Sequence, residues 1–339
     1  MHRNRCNTTM DMQRILKMIC LTVAGIVAFG LPACAQTAPL AETLAAPDSL
    51  KPWALVSVSV ESLRSEPRHA SELSTQALLG TPLKILGRSG EFYRVEMPDR
   101  YVAYVPDKSV VRCSNSQLQR WKESRRLIVT EMQTKLTDGK GPKGGMPVCD
   151  VVAGCILEVK REHRHCFEVT LPDGREGRIS KEEVEPLEEW AHQEFDVDLL
   201  EQTAREMMGM PYLWGGMSAK AADCSGFVRL VYFANGILLP RDASQQARTG
   251  RTLDVERWRE NARKGDLIFI GKRPGRVSHV GIYLDHGHYI HCSGRVKVNS
   301  LVAGDDDCID DYLYLSLVRI EGEVGTEGIV WVRDHPWYF

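Results

Sequence analysis

Between residues 80 and 184 the chain repeats itself without a gap at a displacement of 74 residues, as from Gly80 to Gly154. Leu83, Ile85, Tyr93, Val95, Met97, Pro98, Asp99, Ala103, Val105 and Val110 match Leu157, Val159, Phe167, Val169, Leu171, Pro172, Asp173, Gly177, Ile179 and Val184. In both copies polar and apolar residues alternate, as in Phe92-Tyr93-Arg94-Val95-Glu96-Met97 and Phe167-Glu168-Val169-Thr170-Leu171, the pattern of a half-buried strand. Pro98-Asp99 and Pro172-Asp173-Gly174 are turns between strands. Each copy is therefore a candidate small β-barrel, and whatever else the chain does must be built around the pair.

The chemistry-bearing segment lies downstream of the repeat. Pro211-Tyr212-Leu213-Trp214-Gly215-Gly216 is followed by Asp223-Cys224-Ser225-Gly226-Phe227. Phe227, Val228, Val231 and Tyr232 recur at helical spacing and Gly236 supplies a left-handed stop, which predicts a helix over residues 224–235 with Asp223 as its N-cap. A thiol in that first turn faces unpaired backbone N–H groups and the positive end of the helix dipole, so it is expected to titrate below the free value of about 8.5. Cys224 is the candidate nucleophile.

A thiolate attacking an amide also needs a proton donor for the leaving amine. Residues 278–284 and 288–294 read as two strands around the turn residues Asp285 to Gly287, and adjacent strands bring His279 and His291 together. His279 is assigned as the base and His291 as the residue that orients it. A random cysteine or strand histidine is more often a packing residue, and it is the surrounding motif that reverses this prior. His163, His165, His286, His288 and His335 have no partner at a telling spacing and are read as turn or surface residues.

The 339 residues suffice for two or three domains, and a net charge of −2 with a pI near 6.6 gives no basic footprint for nucleic acid. The start of the chain reads as an export leader: Arg3, Arg5, Arg14 and Lys17 precede an apolar stretch over residues 18–31, too short for a confident membrane span. Ala33-Cys34-Ala35 fits a small-x-small cleavage site before Gln36, and Leu31-Pro32-Ala33-Cys34 also resembles a lipoprotein box that would acylate Cys34. The proline favours simple cleavage. Either route places the mature protein outside the cytoplasm, periplasmic or associated with the cell envelope. Cys113, Cys149, Cys155, Cys166, Cys292 and Cys308 could then form disulfides, whose connectivity spacing does not determine. The close C-x-x-C pairs of zinc sites are missing, so no metal is expected, and Cys292 reads as a small packing residue.

The residues around Cys224, Gly265-Asp266-Leu267, Ser278-His279-Val280-Gly281-Ile282-Tyr283 and His291 before Ser293-Gly294 resemble the NlpC-type cysteine peptidases, a papain-like family of bacterial cell-wall hydrolases. The resemblance implies that Tyr212 and the nucleophile's own backbone N–H stabilise the oxyanion. The repeated units resemble the bacterial SH3-like domains that often precede such catalytic domains. Two barrels ahead of the peptidase, with Pro240-Arg241-Asp242-Ala243-Ser244-Gln245-Gln246 after the catalytic helix, resemble the γ-D-glutamyl-L-diamino-acid endopeptidases. That likeness implies that Asp242 binds the free α-ammonium of the substrate, with Glu72 and Tyr101 from the first barrel as partners and Ser225 among the substrate-binding residues. An aspartate there is also a simple N-cap, and Ala243 stands where related enzymes can carry serine. Tyr101 falls opposite Arg175 in the second copy, as expected if only the first barrel meets the substrate.

The expected fold class is α+β: a papain-like NlpC catalytic domain over residues 188–339, preceded by small SH3-like β-barrels over 51–113 and 114–187, a linker over 36–50 and a signal peptide over 1–35. The expected reaction is hydrolysis of the γ-D-glutamyl-diamino acid bond of peptidoglycan stem peptides with a free N-terminal L-Ala, by a monomer without a cofactor. A thiol amidase or acyltransferase and a non-catalytic wall-binding protein are the alternatives. The nature of the diamino acid stays open.

Overall fold

The computed structural model describes residues 49–139, 145–308 and 313–339. The expected leader, Cys34 and nearly all of the linker lie outside the described residues.

The sequence repeat is a repeat of topology. The first copy is a seven-stranded antiparallel sheet from Trp53–Val56 to Val110–Cys113, and the second runs from Arg126–Val129 to Val184–Pro186. With strands numbered within each copy, both sheets have the spatial order 3-2-6-5-4-1-7. The matched apolar residues point inward in both: Leu83, Tyr93, Val95, Met97 and Val105 are buried, as are Leu157, Phe167, Val169, Leu171 and Ile179. Between the copies runs the helix Asn115–Glu123, capped reciprocally by Ser114 and Gln117.

Downstream, the helix Cys224–Ala234 packs against a six-stranded antiparallel sheet. The spatial order of its strands is Arg251–Leu253, Leu313–Arg319, Leu267–Gly271, His279–Tyr283, His288–Ser293 and Arg295–Ser300. Phe227, Val228 and Val231 on the helix meet Phe269, Val280, Ile282 and Ile290 on the sheet in one buried cluster, which also takes in Ala54, Val95 and Val105 of the first barrel. The second barrel's core, around Leu127, Leu136, Val169 and Ile179, forms a separate cluster that also takes in Leu78 and Leu79 of the first barrel. The first barrel and the catalytic region thus share a core, which fixes the position of any groove between them.

A buried ion pair reinforces that junction. Arg229, on the catalytic helix, meets Asp99, in the first barrel's Pro98-Asp99 turn, at 2.7 Å, with side chains only 7% and 1% exposed. Nearby, His335 Nε2 lies 2.9 Å from the Pro98 carbonyl, and Arg126 donates to the Tyr338 carbonyl at 2.7 Å, so the last residues lace both barrels to the catalytic region. Among the described residues no disulfide is formed; Cys113, Cys155 and Cys292 are buried, and Cys292 packs in the core shared with the catalytic helix. No helix among the described residues is long and apolar enough to cross a membrane.

Removing one member of a buried pair leaves the other charge uncompensated, at a cost of about 3–5 kcal/mol. Asp99→Ala should lower stability in urea titration by about that much, with Asp99→Leu/Arg229→Met recovering most of the loss. A loss in Asp99→Ala no larger than that of a surface substitution would show that the pair does not hold the junction.

Candidate active site

The loop over residues 211–216 and the start of the catalytic helix are fitted to each other by their glycines. Gly215 has φ +76°, and a Cβ there would run into the backbone carbonyl of Leu73 in the first barrel. A Cβ on Gly226 would strike the Gly216 carbonyl, so the loop lies directly over the helix's first turn.

Asp223 caps the helix as expected, accepting from the Gly226 N–H at 2.7 Å, and it also accepts from the Gly215 N–H at 3.0 Å. Sequence reasoning missed its main partner. Arg241 is fully buried and grips Asp223 through both terminal nitrogens, at 3.1 and 2.5 Å, while donating to Ser225 Oγ at 3.0 Å and to Thr75 Oγ1 of the first barrel at 3.0 Å. The Ser225 hydroxyl itself donates to Asp223 Oδ1 at 3.2 Å, so it faces this ion pair. The available signal was an arginine immediately before Asp242, in an otherwise apolar approach that would leave its charge buried.

Cys224 is the first residue of the helix and is 7% exposed. The N–H groups of Ser225 and Val280 favour the charged form of its sulfur, and Val280, next in the chain to His279, packs in the same buried cluster as Cys224. The expectation of a depressed thiol pKa is corrected here. Burial, with the Asp223 carboxylate second, pushes the thiol up to about 11 despite the N–H groups and the helix dipole. Burial, with His291 and Lys297 beside it, holds His279 down to about 3. Both shifts favour the neutral thiol and the neutral imidazole over the charged forms.

The two histidines meet as expected. Tyr283 pairs with Tyr289 and Ile282 with Ile290 across a turn in which His286 and Gly287 have positive φ. This register sets His279 Nε2 2.6 Å from His291 Nδ1. His291 is 1% exposed, and its other nitrogen lies 2.7 Å from Asn299 Oδ1. Asn299 was also missed: only the pairing of His291 with Lys297 on the next strand, which puts residue 299 on the same face, could have indicated it.

Cys224, Asp223 and Arg241 border a groove of about 470 Å³ between the first barrel and the catalytic region, and His279 and His291 line a second cavity of about 130 Å³. Glu72 and Tyr101 enter the groove from the barrel; Tyr212, Cys224, Ser225 and Asp242 enter from the other wall, and none of its lining residues belongs to the second barrel. In the second copy, Arg175 donates to the Ser57 carbonyl of the first barrel at 2.8 Å, where Tyr101 of the first copy faces the groove. Tyr212 lies near Cys224, and burial followed by the neighbouring thiol and Asp223 raises its pKa, so its hydroxyl remains a donor. Asp242 sits at the N-cap of the short helix Ala243–Gln246, and its N–H donates to Gln245 Oε1 at 3.0 Å. Burial first, then Asp223 and Asp99, raise the Asp242 pKa while Arg241 opposes them. Glu72 accepts from Trp214 Nε1 at 2.6 Å.

Residues 209–305 match the NlpC/P60 family, and residues 63–110 match the bacterial dipeptidyl-peptidase SH3 domain. A γ-D-glutamyl-L-lysine dipeptidyl-peptidase of Bacillus cereus is 27% identical, over 73% of this chain and 78% of its own. Dipeptidyl-peptidase 6 of Lysinibacillus sphaericus is 28% identical, over 73% of this chain and 91% of its own. In fold, the chain is similar to the crystal structure of an NlpC/P60 family protein from Bacillus cereus, with a TM-score of 0.67, 24% identity and coverage of 79% of this chain and 99% of that one. With a cysteine at the helix start, a histidine pair on the sheet packed against that helix and an SH3 domain forming one wall of the groove, the chain carries an NlpC/P60 cysteine peptidase domain over residues 209–305.

Proposed function

We propose that this peptidase hydrolyses the γ-D-glutamyl-diamino acid bond of peptidoglycan stem peptides whose N-terminal L-alanine is free. The observation that carries the reading is the gathering of Asp242, Glu72 and Tyr101 around the same groove as Cys224. Two carboxylates and a phenol next to a nucleophile suit a substrate with a cation near its scissile bond, and a charge-assisted hydrogen bond contributes roughly 1.5–3 kcal/mol. The relatives named as γ-D-glutamyl-L-lysine dipeptidyl-peptidase and dipeptidyl-peptidase 6 support the same substrate class. A requirement for a free amine confines the enzyme to fragments already stripped of sugar and so spares the intact wall. The export leader expected from the sequence places this work in the cell envelope.

His279 takes the Cys224 proton as the sulfur attacks the γ-carbonyl of D-glutamate. The carbonyl electrons move onto oxygen, where the Tyr212 hydroxyl and a backbone N–H hold the charge. Collapse of this intermediate expels the diamino acid's amine, which takes the proton back from His279 and leaves a thioester on Cys224. Water, deprotonated by the same imidazole, then adds to the thioester. L-Ala-γ-D-Glu leaves with the oxygen from water, and the thiol regains its proton. The ammonium of L-alanine rests against Asp242 throughout, with Glu72 and Tyr101 completing its surroundings.

Cys224→Ala should abolish release of L-Ala-γ-D-Glu by mass spectrometry while leaving the circular dichroism spectrum unchanged; persistent turnover would remove Cys224 from the nucleophile role. Asp242→Asn should erase the preference for a free-amine tripeptide over the same peptide capped on its amine, and an unchanged preference would mean that the amine binds elsewhere.

The raised pKa of Asp242 has a sign that kinetics can read. Its carboxylate binds the ammonium only when ionised, so KM for the free peptide should climb on acidification from above the ordinary carboxylate range, and Asp242→Asn should flatten that rise. A KM that stays level until ordinary carboxylates protonate would contradict the role.

A further inference from the structure

The hydrogen bonds behind the histidine pair end on a fixed atom. Asn299 Nδ2 donates to the main-chain carbonyl of Asp307, an oxygen that also accepts the Ser300 N–H at 3.4 Å. The loop carrying Asp307 is fastened by Ser300, whose hydroxyl donates to Asp305 Oδ2 at 2.6 Å and accepts the Val302 N–H at 2.9 Å. A carbonyl oxygen only accepts, so the amide nitrogen of Asn299 must face Asp307 and its oxygen must face His291. The flipped amide would set two acceptors against each other.

From this one orientation every proton along the line follows. Asn299 Oδ1 accepts, so His291 carries its hydrogen on Nε2 and, being neutral, has a bare Nδ1. That bare nitrogen accepts from His279 Nε2–H across 2.6 Å. The remaining nitrogen of His279, Nδ1, is then left with a lone pair, as the base for the Cys224 thiol requires. The opposite arrangement would put an N–H where the base is needed.

We propose that Asn299 is a positioning residue of this peptidase, holding His291 in the Nε2–H tautomer and thereby presenting the His279 Nδ1 lone pair to Cys224. The inference rests on the thiol-imidazole mechanism above. Asn299 touches neither substrate nor the reacting atoms, and it acts through two imidazoles. When His279 becomes an imidazolium, the same line of acceptors supports its charge without a second proton moving.

Substitution by leucine and by aspartate separates positioning from packing. Asn299→Leu removes the acceptor; kcat should fall about 10–100-fold with KM within about twofold, the scale seen when an outer-shell partner of a histidine is lost. Asn299→Asp keeps an acceptor facing His291 and should recover part of kcat. Its anion favours a protonated His291, which cannot accept from His279, so the acid limb of the kcat profile should move to higher pH. The other titratable groups around His291 are unchanged by these substitutions: His279 and Lys297 on the flanking strands, Tyr289 on its own strand, Tyr314 beyond it, Lys272 in the adjoining cavity and the His288, Asp305 and Asp307 cluster.

The imidazole ¹⁵N shifts of the wild-type protein should report His291 protonated on Nε2 and His279 protonated on Nε2. A wild-type His291 protonated on Nδ1, an Asn299→Leu variant with undiminished kcat, or an Asn299→Asp variant with an unmoved acid limb would overturn the proposal. If the leucine variant does not fold, the aspartate limb and the wild-type tautomers decide alone. The tautomers are read without turnover, so failure of the proposed cleavage would be told apart from failure of the Asn299 assignment.

Discussion

The active site hangs on the buried pair of Arg241 and Asp223. One carboxylate caps the catalytic helix, holds the Gly215 N–H of the loop above it and takes both terminal nitrogens of the arginine. The same guanidinium reaches Thr75 in the first barrel and Ser225 in the helix. A buried pair of this kind contributes little net stability on average, because desolvation offsets attraction. What it supplies here is position: the helix start, the tyrosine loop, the barrel wall and Asp242, next in the chain to Arg241, are fixed from one centre. Its charge has a chemical consequence too, since the Asp223 carboxylate works against ionisation of the thiol beside it.

That opposition explains why the site needs a base of defined geometry. Burial disfavours both a lone thiolate and a lone imidazolium, which favours forming the two charges together, with an acceptor behind the imidazole. Such an arrangement ties reactivity to alignment, because a neutral thiol gives up its proton only to a nitrogen whose lone pair points at it.

Much of this was legible in the sequence, and the reasons are local. The alternation around Tyr93 and Phe167, displaced by 74 residues from one to the other, reports two sheets of one topology because side-chain period and turn position suffice to define them. Cys224 and Asp223 were readable because a cap and a helical period are short-range signals. The histidines were readable because a hairpin turn brings its two strands together. Arg241 and Asn299 were not: their partners lie 18 and 8 residues away and meet them only through tertiary packing or register. The thiol's raised pKa was misjudged for the same reason. The helix dipole is visible in the sequence, whereas the depth of burial that outweighs it is not.

The central claim is that the acidic end of the groove takes the substrate's ammonium while Cys224 faces the γ-carbonyl. It is tested most directly by a crystal structure of the Cys224→Ala protein with L-Ala-γ-D-Glu-diamino acid bound. The account requires the L-alanine ammonium within hydrogen-bonding distance of the Asp242 carboxylate and the γ-carbonyl carbon over residue 224. A peptide bound in the opposite direction, or with its ammonium in solvent, would contradict it.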